Sequence, residues 1–266
     1  MKVLGKICVV TGAGSGMGRE MTLELVKRGA RVAAIDIHET TLSETKNLAG
    51  DLSKNIEIFT LDVTDQNAVY ELPHRITEKM GGVDVLINNA GIIQPFVPVS
   101  ELTQEQAEKV MNVNFWGPFM LVKAFLPLLK NRPEGHILNV SSMGAYAPVP
   151  GQSLYGASKA ALKLLTEGLR SELLNTKIGV TVAFPGAVAT NITTNSGLAM
   201  PVSSEAAAKF PSLPAPTAAR IMIDAIEANK PRVTVGKDAK MIDRLSRFNP
   251  VMAANIIYKQ MKSLLT

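Results

Sequence analysis

The chain has 266 residues, 46% of them apolar and 19% charged, with a formal net charge of +5. That is ample for one sizeable core, and no linker, charge block or low-complexity stretch divides it, so residues 1–266 read as a single domain. One cysteine excludes a disulfide framework, three isolated histidines give no metal-ligand spacing, the basic charge forms no nucleic-acid stripe, and no apolar run has membrane-spanning length.

The first element is the β-branched run Ile7–Val10, expected of a strand buried on both faces, with Cys8 inside it as a buried hydrophobe. The chain enters this strand almost at once, which leaves no room for a signal peptide and sets the expectation of a cytoplasmic protein. A glycine cluster follows at Gly12, Gly14, Gly16 and Gly18. A helix then runs to about Arg28, with Met21, Leu25 and Val26 on its apolar face, and stops at Gly29. The next strand ends on Asp36. Strand, glycine turn, helix, strand and terminal acid is the arrangement a dinucleotide needs. Glycines let the backbone approach the pyrophosphate, the helix N-terminus favours its charge, and the acid accepts from ribose hydroxyls. Further strand-like runs occur at about 56–61, 83–88, 136–141, 178–184 and 232–235, with helical segments between them. Such alternation demands crossovers, so the expected fold is α/β: a doubly wound, seven-stranded parallel sheet, Rossmann-like, with helices on both faces.

Late in the chain stands Tyr155-Gly-Ala-Ser-Lys159, and thirteen residues before the tyrosine stands Ser142. Positions i and i+4 share a helical face, so the ammonium can sit beside the phenol. A neighbouring cation favours the phenolate, whose ordinary pKa near ~10 is too high for a base at neutral pH. A serine hydroxyl from the preceding loop suits a carbonyl or alkoxide oxygen on which charge develops.

Thr11-Gly12-x-x-x-Gly16-x-Gly18, Asn88-Asn89-Ala90-Gly91, Asn114, Ser142, Tyr155-x-x-x-Lys159 and Pro185-Gly186 occur in this order, and over about residues 4–190 the chain resembles the short-chain dehydrogenase/reductase family. The resemblance implies hydride transfer with a nicotinamide dinucleotide, Tyr155 being the general acid in reduction and the base in oxidation. It implies that Lys159 lowers the tyrosine pKa and meets the nicotinamide ribose, and that Ser142, rather than Ser141, holds the substrate oxygen. Asn114 would anchor its helix and a proton-relay water. For the cofactor it implies Gly12, Ser15, Gly16, Met17 and Gly18 in the turn, Asp36 and Ile37 after the second strand, and Asp62 and Val63 at the adenine. Asn89, Ala90 and Gly91 would pass behind the ribose, and Pro185, Gly186 and Val188 would border the nicotinamide, with Thr190 near its phosphate or amide. Asp36 would repel a 2′-phosphate, and Ile37 and Ser15 stand where an NADP enzyme usually carries a cation, so NAD is expected over NADP. Arg19 is expected to point along its helix.

The stretch 191–216 is poor in charge and carries Leu198, Met200, Phe210 and Leu213; it is read as a substrate lid, and its lack of clustered cations suggests a hydrophobic secondary alcohol or ketone. From 238 to 266 runs a helical tail, broken before Pro250, whose Met252, Ile256, Ile257, Met261 and Leu264 recur at helical spacing and are read as packing. Basic charge thickens there at Lys237, Lys240, Arg244, Arg247, Lys259 and Lys262. A solvated face is the plain reading, with anionic lipid or an acidic carrier protein as alternatives. His38, His74 and His136 are read as surface or loop residues and Trp116 as packing. The resemblance implies a homotetramer, or else a homodimer, built on two long helices at about 103–130 and 152–175. An NADPH-dependent 3-oxoacyl-carrier-protein reductase and a non-catalytic dinucleotide-binding protein are the competing functions.

Overall fold

In the computed structural model, which describes residues 1–198 and 212–261, seven parallel strands form the central sheet. They are β1 (Ile7–Thr11), β2 (Arg31–Asp36), β3 (Ile56–Thr60), β4 (Val85–Asn88), β5 (Gly135–Val140), β6 (Ile178–Pro185) and β9 (Arg232–Val235). Their order across the sheet is β3-β2-β1-β4-β5-β6-β9. A minor pair, β7 (Val188–Ala189) and β8 (Leu213–Pro214), stands apart from it. The apolar runs behave as expected of strands covered on both sides. Within β1, Cys8 and Val10 join one core and Ile7 and Val9 the other; within β2, Val32 and Ala34 oppose Ala33 and Ile35. All five residues of β1 are buried.

One layer of helix is α1 (Gly16–Lys27), which sets Met21, Leu25 and Val26 against Ala219, Met222 and Ile223 of α8 (Ala215–Glu227). The opposite layer comprises α3 (Gln66–Met80), α5 (Gly117–Lys130) and α6 (Ser153–Glu172), through residues such as Leu72, Ile76, Phe125 and Leu169. The shorter helices are α2 (Glu39–Leu48), α4 (Gln104–Met111) and α7 (Ile192–Asn195), and the chain ends on α9 (Lys237–Phe248) and α10 (Pro250–Met261). Strand order reverses between β1 and β4, which opens a crevice at the carboxyl ends of the strands, the usual ligand position in such sheets.

Three departures from the sequence reading have physical causes. The helix expected over 103–130 is interrupted: α4 begins at a Thr103–Gln106 capping box, then Asn112–Trp116 forms a π-helical turn before α5. That turn buries Asn114 completely, a placement that helical periodicity alone does not register. Next, His136 is neither surface nor loop: it lies in β5 with 1% of its area exposed. Its Nε2 contacts Thr181 Oγ1 at 2.8 Å, and the Thr181 hydroxyl spends its proton on Lys230 O at 2.6 Å, so Nε2 carries the imidazole hydrogen. The third concerns the lysine–tyrosine pair and is taken up with the site. Trp116 is 47% exposed and stacks edge-on against Phe115 and Phe119. Among the described residues no helix is long and apolar enough to cross a membrane. Met200, Phe210, Lys262 and Leu264 lie outside them.

Candidate active site

The glycine turn joins β1 to α1, and its geometry leaves no room for side chains. Gly12 has φ +68°, and a Cβ there would lie 2.9 Å from Asn89 Nδ2. A Cβ on Gly18 would come within 1.9 Å of Gly12 O, so only glycine lets α1 start this close to the strand end. Ser15 is the N-cap of α1 and makes no capping bond, which leaves the first amides of the helix to an anion. Asp36, at the end of β2, is turned into this crevice: Gly14 N–H donates to its Oδ2 at 3.0 Å and His38 N–H to its Oδ1 at 3.2 Å. Ile37 is exposed beside it. Arg19 is occupied elsewhere, donating to Gly14 O and Thr45 and pairing with Glu44 Oε2 at 2.9 Å. These contacts turn it back over the glycine turn towards α2 rather than along its own helix.

The next wall follows β4. Thr11 Oγ1 accepts from both Asn89 N–H and Ala90 N–H at 3.0 Å, tying the end of β1 to the Asn-Asn-Ala-Gly turn. Asp62 is exposed, its carboxylate accepting from Thr64, whereas Val63 is buried against Gly117. Met17 packs at the edge of the core beneath the turn. On the far side Pro185 is buried at the end of β6, and Gly186 packs against the Asp238 carboxylate, which accepts from Ala187 N–H at 2.7 Å. Val188 belongs to the minor strand pair, and a Cβ on Gly16 would lie 3.3 Å from Thr190. Within the stretch read as a lid, Asn195 donates to Ser15 Oγ at 2.7 Å and Ser196 accepts from Ile93 N–H at 3.0 Å. The segment around α7 therefore bridges the glycine turn and the loop after β4.

The four residues expected to do chemistry come together at the head of α6. A Cβ on Gly91 would lie 3.1 Å from Lys159 Nζ and 3.2 Å from Asn114 Oδ1, so loop, lysine and asparagine share one spot. A Cβ on Gly144 would lie 3.4 Å from both Ser142 Oγ and the Tyr155 ring, which places serine and tyrosine side by side. Asn114 accepts from Ile92 N–H and donates to Ile92 O, both at 2.9 Å, and donates to Ser158 Oγ at 3.0 Å. Ser158 in turn donates to Tyr155 O at 2.7 Å, so Asn114 is braced to the head of α6. Ser141, unlike Ser142, is consumed, donating to Lys159 O at 2.8 Å.

Here lies the third departure. Tyr155 is pushed above the ordinary phenol value by burial, against a smaller opposing pull from the Ser142 hydrogen bond. Lys159 is lowered to about 8 by burial and spends a hydrogen bond on Val140 O at 3.1 Å. In this form the ammonium does not depress the phenol as sequence spacing suggested, because it is turned to a backbone carbonyl and is itself desolvated.

Two residues at this site carry no sequence signal. Gln94 is fully buried, and its Oε1 accepts from Leu154 N–H at 2.8 Å and Tyr155 N–H at 2.9 Å. Those are the second and third amides of α6, which helix geometry leaves without partners. Gln152 answers by donating from Nε2 to Gln94 O at 2.7 Å. The clasp pins the loop after β4 to the residue bearing the phenol. Gln94→Ala is expected to lower kcat about tenfold with little change in the dinucleotide KM, in line with loss of a helix cap. Gln94→Glu keeps the acceptor and should restore the rate. Equal loss in both variants would refute a positioning role.

Comparison with known proteins agrees with this geometry. Residues 6–200 match the family model for short chain dehydrogenases. The chain is 36% identical over 251 residues to a protein described as the oxidoreductase SadH of Mycobacterium tuberculosis, covering 91% of this chain and 90% of that one. A short-chain dehydrogenase/reductase of Burkholderia phymatum solved with NAD superposes with a TM-score of 0.85 at 25% identity, covering 95% of this chain and 96% of that one. A short chain dehydrogenase of Burkholderia cenocepacia solved with NADP gives 0.81 at 27% identity, covering 97% and 99%. With a glycine turn, an Asn-Ser-Tyr-Lys cluster and these relatives, the chain belongs to the short-chain dehydrogenase/reductase family and is an NAD(P)-dependent oxidoreductase.

Proposed function

We propose that the enzyme uses NAD in preference to NADP to oxidise a hydrophobic secondary alcohol, or to reduce the matching ketone, with Tyr155 as the acid–base group. The observation that carries this reading is the convergence of Asn114, Ser142, Tyr155 and Lys159 at one end of the dinucleotide crevice. The residues fit the cofactor: glycines whose Cβ would fill the cradle, a helix N-terminus with free amides, and a strand-end carboxylate. When bound, the dinucleotide supplies the hydride acceptor or donor. The protein moves the proton. Ser142 Oγ holds the substrate oxygen, and Tyr155 takes its proton in oxidation or returns one in reduction. Lys159, whose ammonium donates to Val140 O, would meet the nicotinamide ribose, and Asn114, through Ser158, keeps the helix head in place.

The NAD preference rests on Asp36, whose negative charge lies where a 2′-phosphate would be placed, and on Arg19 being engaged by Glu44. Fluorescence titration should show NADH binding at least tenfold tighter than NADPH, the gap closing in Asp36→Ala. Equal or tighter NADPH binding in the wild type would overturn the preference. A panel of secondary alcohols, from short aliphatic to bulky apolar, should show turnover rising with apolar size. Turnover confined to small or anionic members would remove the hydrophobic substrate class. Exposed Trp116 and Leu164, on the two long helical segments, support a homotetramer or homodimer.

A further inference from the structure

We propose that the outward face of α9 and the α9–α10 corner dock the enzyme on an anionic phospholipid bilayer. Lys237, Lys240, Met241, Arg244, Leu245 and Phe248 follow one another at steps of three and one, the spacing of a single helical face. The opposite face sends Ala239 and Ile242 into the protein, where Ile242 meets Ala147 and Ile257. The outward face is therefore a stripe of cations and large apolar groups with no fold role. All of its members but Phe248 line an open groove of about 600 Å³. Phe248 is 87% exposed and Val251 68%, and Met252 and Tyr258 are partly exposed beyond them, so the apolar surface turns the corner into α10.

The charge pattern selects the occupant. The only acids in the described part of this tail, Asp238 and Asp243, both face inward: Asp238 accepts from Ala187 N–H, and Asp243 is held by Arg232 and Arg247. Lys237, Lys240 and Arg244 are left beside exposed apolar side chains with no carboxylate among them. A second copy packed on this face by two-fold symmetry would set cations against cations. An anionic bilayer satisfies both halves of the pattern, its phosphates meeting the cations and its interface taking up the apolar side chains. The face is joined to the site: Tyr146, four residues past Ser142, donates to Ala239 O at 3.0 Å, and Asp238 grips the loop at Gly186. Docking thus sets the substrate side of the crevice near a reservoir of apolar compounds. It stands on the surface alone, and its failure would leave the proposed reaction untouched.

Flotation of the full-length protein with vesicles tests it. Binding is expected to phosphatidylcholine vesicles containing phosphatidylglycerol, to be absent with phosphatidylcholine alone, and to weaken with salt. Each cation lost should reduce partition about fivefold, so Lys240→Glu/Arg244→Glu together should cost more than twentyfold. Phe248→Ser should weaken binding without changing its salt dependence. No binding to the anionic vesicles, equal binding to neutral ones, or retention in the double variant would each overturn the proposal. So would dissociation of the oligomer in the double variant at unchanged melting temperature, which would make the face a subunit contact. Binding to an acidic protein without any to vesicles would also overturn it.

Discussion

Tyr155→Phe is expected to lower kcat about 10²–10⁴-fold, the usual weight of a positioned acid–base group, while leaving NADH affinity within about threefold. The substitution keeps the ring and removes only the hydroxyl. The ring packs beside Gly144 and the backbone is held by Gln94 and Ser158, so the head of α6 has no reason to move. What disappears is the atom that shares Ser142 and carries the proton. The direction of the wild-type pH profile follows from the same environment. Burial holds the phenol above its ordinary value, so oxidation, which needs the phenolate, should quicken as the pH rises. Reduction needs the neutral phenol, which is present throughout the neutral range. Steady-state rates beside a fluorescence titration separate chemistry from binding. A Phe variant retaining more than a tenth of wild-type kcat would move the proton-transfer role to another residue.

Stability should fall by about 2 kcal/mol between pH 7.5 and pH 5 on account of His136 alone. Desolvation, with smaller contributions from the N-terminus and Arg170, holds this imidazole at about 3, against 6.5 in the unfolded chain. A base whose folded pKa is depressed binds fewer protons folded than unfolded. Its contribution is therefore intact above about 6.5 and drains as the pH falls from there towards about 3. The neutral ring donates to Thr181, whose own proton is committed to Lys230 O, and a charged ring gains no compensating acceptor from that pair. Urea unfolding at the two pH values, repeated on His136→Asn, provides the check. The variant starts less stable but should lose about 2 kcal/mol less on acidification. Parallel losses in both proteins would assign the acid sensitivity to carboxylates instead.

Much of this molecule was legible in the linear chain because the relevant forces are local. Seven apolar runs of strand length marked the sheet, and Gly12, Gly16 and Gly18 followed by Asp36 marked the crevice, since turn geometry and strand length set that spacing without help from the rest of the fold. Tyr155 and Lys159 share a helical face by the pitch of the helix. The order of the strands, by contrast, rests on which apolar faces pack together across the sheet. So does the meeting of Gln94 with Tyr155, sixty-one residues apart in the chain. His136 reads as an isolated polar residue until β6 brings Thr181 against it. Periodicity likewise read 103–130 as one regular helix, whereas contact with Ile92 and Ser158 selects the π turn that buries Asn114. The sequence by itself determined the fold class and the dinucleotide crevice, and it supplied the side chains that we propose react. Tertiary structure alone decided their protonation environment and their supports, because desolvation and hydrogen bonding depend on neighbours that only folding brings near.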